Sequence, residues 1–362
     1  TDFTSNMPVT SLNPIEQIRF AGSAQTATFT GLQLTGQAFD LRETAAVAAG
    51  TSTLVITVAN GQTVNFSQLT ASSFTMGTDV ITINASGTTN ITGPNLATTL
   101  NGASGGDTLV GGSSNDTING FDGADTITGG DGTDTLTGGD ASDVYLFNTN
   151  DVDAGESIVE TASHGDTDVV AIVTSTNFAN MTADSFDNIE QIRFAGANKT
   201  GTFTSLQFTG ETLELTETAA GTSNLIVNVG SGETATFANL SADASFASGT
   251  DTITLNGAGG NEDITGPDLV STIDGGAGVD TLRGGSANDV YRFDTGDVGS
   301  GEQIIDSGGS ADVVAIITDT DFANMTANSF DNIEQIRFAG ANKTGTFTGA
   351  QLTTETIQLT ET

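Results

Sequence analysis

Aspartate recurs at a fixed nine-residue spacing between residues 102 and 146, each time five places after a glycine. Glycines at positions one, two and four of the nine-residue frame permit positive φ, so the chain can turn tightly with its carbonyl groups facing inward. Calcium accepts six to eight oxygen ligands with loose geometry, which suits carbonyls together with carboxylates. The pattern therefore predicts calcium-binding turns. The acidic residues are Asp107, Asp116, Asp125, Asp134 and Asp143, and their frames begin at Gly102, Gly111, Gly120, Gly129 and Gly138.

A shorter array of the same kind follows in the second half of the chain. Its two regular frames, GGAGVDTLR and GGSANDVYR, begin at Gly275 and Gly284 and carry Asp280 and Asp289 at position six. An earlier frame, residues 257–265, is degenerate and has Glu262 in the acidic position. These residues extend the set of predicted calcium ligands.

A second group of acidic residues follows each array. The spacing D-x-D-x-G in the first group resembles the opening of an EF-hand calcium loop, but the remaining EF-hand positions do not match. An accessory calcium site and a solvated loop are therefore both open interpretations. The groups contain Asp151, Asp153 and Glu156 after the first array and Asp294, Asp297 and Glu302 after the second, and Asp168 aligns with Asp312 further on.

The elements that hold these carboxylates are predicted to be short strands. Position eight of each frame is apolar and is flanked by threonine, which indicates a strand with one side chain in the core. Outside the arrays, runs such as IEQIRF, SNLIVNV and DTITLNG alternate with period two and are rich in β-branched residues. The segment FANMTADSFDNI is the best candidate for helix, and it is short. The predicted fold is all-β, a parallel β-roll or β-solenoid.

The chain is also repetitive on a larger scale. The string IEQIRFAG begins at Ile15, Ile189 and Ile333, which indicates two complete modules and the start of a third. In its glycine- and aspartate-rich zone the second module is shorter than the first by three whole frames. Removal of whole repeats is typical of solenoids. We expect five segments: β-rich residues 1–83, a calcium-binding roll at 84–146, β-rich residues 147–256, a shorter roll at 257–292, and a third β-rich module from 293 to 362.

The frame resembles the G-G-x-G-x-D-x-U-x repeat of RTX proteins, closely over residues 102–146 and 275–292 and more weakly just upstream of each. The resemblance implies that two nonapeptides form one coil, so that acids two frames apart share a calcium ion. It thus pairs Asp107 with Asp125, Asp116 with Asp134, and Asp125 with Asp143. In the second array it pairs Asp280 with Glu262 and Asp289 with Ser271, so fewer or weaker sites are expected there.

Composition excludes several functions. Eight basic against 45 acidic residues give a net charge of −37, which disfavours nucleic-acid binding. The sequence contains no run of 18 apolar residues, so no membrane-spanning segment is predicted. There is no cysteine, and the single histidine, His164, has no counterpart in the second module, which favours a surface role. The acids are explained by the repeat, and no nucleophile with a partner base is recognisable, so we expect no enzyme.

The resemblance to RTX proteins implies secretion by a type I system and folding on export into calcium-rich surroundings. The favoured function is an extracellular structural protein that self-associates into a fibre, matrix or surface layer. Two alternatives remain open: the shaft of a large secreted adhesin at the cell surface, and the non-catalytic calcium-binding module of a secreted hydrolase. The sequence reads as a piece of a longer protein with further modules.

Overall fold

A computed structural model describes residues 1–4, 7, 12, 15–22, 24–43, 50–75, 78–160, 166–246, 250–353 and 356–362. The chain divides into two units, one comprising Thr1–Ala171 with Asn180–Ile189 and the other Ile172–Ala179 with Glu190–Thr362. The described helices are single turns: α1 (Gly31–Leu34) and the 3-10 helices Ala183–Phe186, Ser205–Phe208 and Gly349–Leu352. The predicted helical segment therefore contains only one 3-10 turn, and His164 lies outside the described residues.

The first unit is built from short strands that pair in parallel. They are β1 (Gln17–Phe20), β2 (Thr26–Thr30), β3 (Asp40–Glu43), β4 (Thr53–Val58), β5 (Thr63–Asn65), β6 (Thr70–Ala71), β7 (Val80–Ala85), β8 (Asn90–Thr92), β9 (Thr98–Ser104), β10 (Thr108–Gly112), β11 (Thr117–Asp122), β12 (Thr126–Gly130), β13 (Thr135–Asp140), β14 (Val144–Phe147) and β15 (Ser157–Ile158).

Two parallel sheets form the glycine- and aspartate-rich part of this unit. One contains β5, β8, β10, β12 and β14, and the other contains β2, β4, β7, β9, β11, β13 and β15 in sequence order. Successive frames alternate between the sheets, so Leu109 pairs with Ile127 and Ile118 pairs with Leu136, each two frames further along the chain. All four side chains are fully buried. The predicted apolar stack and the parallel all-β fold are confirmed.

The coils outside the frames are longer but continue the same sheets. Thr53 of β4 pairs with Val80 of β7 across a coil as long as three frames, before the spacing shortens at β9. The alternating burial of TLVITV in β4 places Leu54 and Ile56 in the core. Apolar alternation on a pleated strand therefore holds these coils together even where no glycine-rich turn is present.

The second unit repeats this construction. The strand β16 (Val169–Ile172) contains the boundary between the units. The strands that follow are β17 (Thr176–Asn177), β18 (Gln191–Phe194), β19 (Thr200–Thr204), β20 (Glu214–Glu217), β21 (Asn224–Asn228), β22 (Thr234–Thr236), β23 (Ser241–Ala242), β24 (Thr252–Asn256), β25 (Gly259–Gly260), β26 (Asp263–Thr265), β27 (Thr272–Asp274), β28 (Ala277–Gly278), β29 (Thr281–Arg283), β30 (Val290–Phe293), β31 (Gln303–Ile304), β32 (Val313–Ile316), β33 (Thr320–Asp321), β34 (Gln335–Phe338), β35 (Gly345–Thr346) and β36 (Gln358–Glu361).

Two sheets dominate the second unit as well. The larger runs in sequence order through β17, β19, β21, β24, β27, β30, β32, β34 and β36, and a smaller one through β22, β26, β29 and β31. Here β24 and β30 lie in the same sheet, whereas their counterparts in the first module, β7 and β14, lie in different sheets. The cause is the three frames that the second module lacks. Because two frames form one coil, three frames are one and a half coils, and the strands that follow lie in the opposite sheet.

No helix in the described parts of the chain is both long enough and apolar enough to cross a membrane.

Candidate metal centres

The position-six aspartates stack into ladders along each side of the first roll. The backbone N–H of Asp107 donates to Oδ1 of Asp125 at 2.6 Å, and that of Asp125 donates to Oδ1 of Asp143 at 2.7 Å. On the other side, the N–H of Asp116 donates to Oδ1 of Asp134 at 2.7 Å. Parallel pairing of strands two frames apart brings each aspartate beside its counterpart in the next coil. The structure thus brings together the acids that the RTX resemblance pairs.

Oδ2 of Asp107 accepts the N–H of Ala103 at 3.1 Å, but in the other four aspartates the second carboxylate oxygen is buried without a hydrogen-bond partner. This holds for Oδ2 of Asp116, Asp125, Asp134 and Asp143, four residues whose side chains are almost wholly buried. A buried anionic oxygen without a partner is costly, because it has lost water and gained nothing in exchange. The donor set is hard, anionic and oxygen-only, which is the chemistry that calcium prefers. The residues therefore fit a calcium ion.

The glycine at position one of each frame is required by space. A Cβ atom on Gly102 would lie 2.5 Å from the carbonyl oxygen of Gly120 and 2.7 Å from Oδ2 of Asp107. On Gly120 it would collide with Oδ2 of Asp125 and would lie 2.6 Å from the carbonyl oxygen of Gly138. The absent side chain thus leaves a space where an acid oxygen and a carbonyl oxygen converge.

This corrects one sequence-based expectation. Positive φ occurs at positions two and four of the frames, for example Gly130 at 104° and Gly132 at 119°, whereas the position-one residues Gly102, Gly111, Gly120, Gly129 and Gly138 lie outside that region. Within the frames, two non-glycine residues also adopt positive φ, Phe121 at 76° and Ala141 at 81°. Phe121 and Ala141 therefore keep the turn geometry and add strain, whereas Ala103 and Ser114, at the same two frame positions, lie outside the positive-φ region.

Burial controls the electrostatics of the ladders. It raises the pKa of Asp116 and of Asp143 to about 8 and that of Asp125 to about 7, while backbone N–H donors oppose the rise. Repulsion from neighbouring acids, such as Asp134 acting on Asp116, raises these pKa values further. A divalent cation between the carboxylates would favour their ionised forms, because an opposite charge lowers the pKa of an acid.

The second acidic groups divide into two kinds of residue. Glu156 and Glu302 continue the ladders, since their Oε2 atoms accept the N–H of Asp134 at 2.8 Å and of Asp280 at 2.9 Å, and each has a buried Oε1 without a partner. Burial raises the pKa of Glu156 to about 9 and that of Glu302 to about 8.

Asp151 and Asp297 close local turns instead. Oδ2 of Asp151 accepts the N–H of Asn148 at 2.7 Å, and Oδ2 of Asp297 accepts the N–H of Asp294. The charge of Asp151 reaches the ladder, because it contributes to the raised pKa of Asp134 and of Glu156. Calcium binding at Asp151 and Asp297 stays a prediction.

The second unit contains two ladders of the same form. The N–H of Glu262 donates to Oδ1 of Asp280 at 2.7 Å, and Oδ2 of Asp280 and Oε2 of Glu262 are buried without partners. On the other side, Asp289 accepts the N–H and the hydroxyl of Ser271 at 2.9 and 2.8 Å. Gly275 and Gly284 lie beside the aspartates of their own frames, as the position-one glycines do in the first unit.

Sequence reasoning did not assign the ladder positions beyond the frames. Asp168 and Asp312 accept the N–H groups of Asp143 and Asp289 at 2.7 and 2.6 Å, from 25 and 23 residues away. A signal existed for Asp312, because GGSAD at 308–312 is the frame opening GGSAND at 284–289 with one residue removed. For Asp168 only the alignment with Asp312 was available.

Asp79, which lies in a longer coil outside the frames, differs from most of the ladder aspartates. Asp79 accepts the N–H of Ser52 on Oδ1 at 2.9 Å, 27 residues away, as a ladder aspartate would. Its other oxygen, Oδ2, accepts the N–H of Thr75 at 2.7 Å. Both oxygens of Asp79 therefore accept a backbone N–H, and neither is left without a partner. Buried carboxylate oxygens without partners are concentrated in the frames and their direct continuations, although Oδ1 of Asp40 outside the frames is another, and Asp107 and Asp289 inside them have partners on both oxygens.

Comparison with protein families gives a match to the RTX calcium-binding nonapeptide repeat (4 copies), over residues 101–136, 120–146 and 271–298. No curated protein matches the chain. The matched residues contain Asp107 to Asp143 and Asp280 to Asp297, and they stop short of Glu302 and Asp312.

Proposed function

We propose, from the premise that this chain carries RTX calcium-binding nonapeptide repeats, that it is an extracellular structural protein which calcium folds and stiffens. In this proposal residues 84–146 and 257–292 respond to calcium, and the β-rich residues 1–83, 147–256 and 293–362 form the remainder of the solenoid. Its chemistry is ion binding by carboxylates and backbone carbonyls, and no reaction is catalysed.

The observation that carries the proposal is the row of buried carboxylate oxygens without partners on the ladder. An ion that binds only the folded chain stabilises it by RT ln(1 + [L]/Kd), about 2.7 kcal/mol per site at a hundredfold excess. A few such sites amount to the whole stability of a typical domain, roughly 5–15 kcal/mol. Calcium at the ladders would therefore decide whether the repeats fold.

The same linkage supports an extracellular location. Extracellular calcium modules bind with Kd values of about 10⁻⁴–10⁻³ M, far above the calcium concentration at which intracellular sensors respond. A chain with such sites would be loosely folded before export and folded after it. Type I secretion, which is usual for RTX repeat proteins, suits this order of events.

The proposed partner is a second copy of the chain, in a fibre, matrix or surface layer. The near-identical strings that begin FANMTADSFDNIEQIRFAG at Phe178 and FANMTANSFDNIEQIRFAG at Phe322 present the same surface more than once. Repeated surfaces make self-association multivalent, which strengthens weak contacts without new ones. Calcium would also reduce the repulsion between chains of net charge −37.

Calcium dependence is tested by the variant Asp125→Asn, with Asp79→Asn as its matched control. Both residues are buried acids that accept a backbone N–H from a neighbouring coil, but only Asp125 has an oxygen without a partner. We expect Asp125→Asn to need more calcium for folding, as followed by circular dichroism. Asp79→Asn should lower the melting temperature and leave the calcium midpoint unchanged. Equal calcium midpoints in the two variants, or an unchanged spectrum of the natural chain in EGTA, would disprove the proposal.

Assembly is tested by electron microscopy of the purified chain with calcium and with EGTA. We expect filaments or sheets that form with calcium and dissolve with the chelator. Isolated monomers in saturating calcium would refute self-association and would favour the shaft of an adhesin.

A further inference from the structure

Three buried aspartates cluster where the second array ends. Carboxylate oxygens of Asp289, Asp306 and Asp312 lie within 4.8 Å of one another. Asp312 is fully buried, and its Oδ2 has no hydrogen-bond partner. Only Asp289 belongs to a nonapeptide frame, and Asp306 and Asp312 lie outside the residues that match the RTX repeat.

The protein orients these carboxylates without neutralising them. Asp312 accepts the N–H of Asp289 at 2.6 Å, Asp289 accepts the N–H of Gly285 at 3.0 Å, and Asp306 accepts the N–H of Gly308 at 2.9 Å. These donors carry no formal charge. Three acids this close in a low-dielectric interior repel one another strongly unless a cation or protons join them.

A tyrosine fixes the position of Asp306. The hydroxyl of Tyr291 donates to Oδ2 of Asp306 at 2.7 Å and accepts the N–H of Gly284 at 2.7 Å. Gly284 is the first residue of the last regular frame, and the Asp306 carboxylate lies beside it, where a regular frame has the carbonyl oxygen of the glycine two frames further on, such as that of Gly120 beside Gly102. Tyr291 is fully buried in this arrangement.

We propose that Asp289, Asp306 and Asp312 bind a calcium ion of their own, a terminal site just past the last regular frame of the array, with Tyr291 as the positioning residue for Asp306. The inference rests on the proposed function, because it takes calcium to be the ion that the ladders bind. The carbonyl oxygen of Ala287 borders the same space: a Cβ atom on Gly309 would lie 2.8 Å from it and against the Asp312 carboxylate. The donor set is again oxygen-only and anionic, as calcium requires.

The first module contains the same arrangement with different residues. The hydroxyl of Tyr145 bonds to Glu160, the N–H of Gly138 donates to Glu160 Oε1 at 2.9 Å, and Asp143 donates its N–H to Asp168. Tyr145, Glu160 and Asp168 correspond to Tyr291, Asp306 and Asp312. Oδ2 of Asp143 is buried without a partner. The arrangement thus recurs although the acid beside the tyrosine differs in length, which indicates a shared task for a carboxylate there.

The chain has no tryptophan and only these two tyrosines. Terbium(III), a probe for calcium sites, emits when a nearby aromatic ring absorbs light and transfers its energy. In a Tyr145→Phe chain, Tyr291 is therefore the sole tyrosine sensitiser. We expect terbium to give tyrosine-sensitised emission that saturates and that added calcium abolishes. Absence of such emission from the folded Tyr145→Phe chain in saturating terbium would overturn the proposal.

Three variants in that background assign the site. Asp306→Asn should lose the sensitised emission and bind one calcium ion fewer in equilibrium dialysis. Asp306→Glu should keep both, because the first module carries Glu160 at this place. The control Asp268→Asn removes a carboxylate that accepts the N–H of Ser286, outside the cluster, and should change neither.

The outcomes separate this inference from the proposed function. If calcium still folds the Asp306→Asn chain, by circular dichroism, while emission and ion count stay unchanged, the terminal site is refuted and the ladders are not. If calcium has no effect on the circular dichroism of any of the chains, both proposals fail. Protonation in place of metal at the cluster would appear as folded protein without calcium-sensitive terbium emission.

Discussion

Two buried aspartates differ in whether their second carboxylate oxygen has a partner, and this difference distinguishes a structural acid from a candidate calcium ligand. Asp79 and Asp125 are both buried, and both accept a backbone N–H from a neighbouring coil. A second N–H satisfies Asp79, whereas Oδ2 of Asp125 faces a space without a partner. The frame brings this about because the position-one glycine leaves room beside the aspartate where another residue would place its Cβ.

We expect the calcium-free chain to lose stability as pH rises from about 4 to about 8. In the fold, burial raises the pKa of Asp116 and Asp143 to about 8 and that of Asp280 to about 7. In the unfolded chain the pKa of aspartate is about 4. Between these values the folded state binds more protons than the unfolded state, so the free energy of unfolding falls with increasing pH. Thermal melting in EGTA from pH 4.5 to 8.5, followed by circular dichroism, measures this loss of stability.

Calcium should weaken or reverse that trend, because it competes with protons for the same carboxylates. The control is the same pH series in saturating calcium. A melting temperature that rises with pH in EGTA would contradict the assignment of the ladder acids as protonated in the metal-free fold.

A residue with positive φ gives a second prediction at this scale. Ala141 adopts a φ of 81° at position four of its frame, where three other frames of the first array have a glycine with positive φ, Gly105, Gly123 and Gly132. Ala141→Gly should stabilise the protein by about 1 kcal/mol, because glycine adopts this conformation without a Cβ clash. The matched control is Ala103→Gly, inside β9 and outside the positive-φ region, which should cost about 0.5–1 kcal/mol. Urea unfolding in calcium measures both, and a loss of stability in Ala141→Gly would contradict the strain argument.

At the scale of the elements, strands pair with strands one coil of two frames away, whereas the sequence repeats with every single frame. Loss of three frames moves the later strands of the second module into the opposite sheet relative to their counterparts. Both sheets are parallel and both bury alternate apolar residues, so a strand can join either one. This explains how an odd number of frames can be absent without loss of the fold.

Deletions in the first array test this rule. Removal of residues 111–128, two whole frames, should leave a chain that folds with calcium and binds fewer ions. Removal of residues 111–119, one frame, should also fold, with its later strands in exchanged sheets. Removal of residues 111–123 should abolish calcium-dependent folding of the array, since it puts acids and apolar residues out of register. Circular dichroism and calcium counting distinguish them, and equal folding of the chain that lacks 111–123 would refute the register argument.

At the scale of the whole molecule, the excess of acid makes the folded state depend on its counterions. A net charge of −37 on 362 residues opposes compaction, and many of the acids lie in the buried ladders. Monovalent salt screens exposed charges over about 8 Å at physiological strength but acts much less on buried ones.

We therefore expect EGTA at pH 8 to increase the Stokes radius of the chain in size-exclusion chromatography. Sodium chloride at 1 M should reverse this only in part, whereas millimolar calcium should reverse it fully. Magnesium is the control, because it requires tighter octahedral geometry and keeps its water, and it should act less well than calcium. Full recovery of the small radius in sodium chloride alone would show that general screening, and not site binding, compacts the chain.

The sequence by itself determined the features that repeat with a fixed period. The acid at position six, the buried residue at position eight and the parallel all-β fold follow from nine-residue spacing and period-two alternation, which are local properties of the chain. Which acids meet across the regular coils, two frames apart, was implied by the resemblance to RTX proteins.

Only the tertiary structure decided which acids join the ladders beyond the regular nine-residue frames. Glu156, Asp168, Glu302 and Asp312 reach the ladders across 22 to 25 residues, and Asp306 reaches its cluster through Tyr291. These separations depend on how long loops return to the sheet, and no spacing rule encodes that. Such residues meet because a whole coil of chain returns to the sheet between them. A ladder position therefore depends on which residue of the neighbouring coil lies beside it, and not on the residues just before it in the sequence.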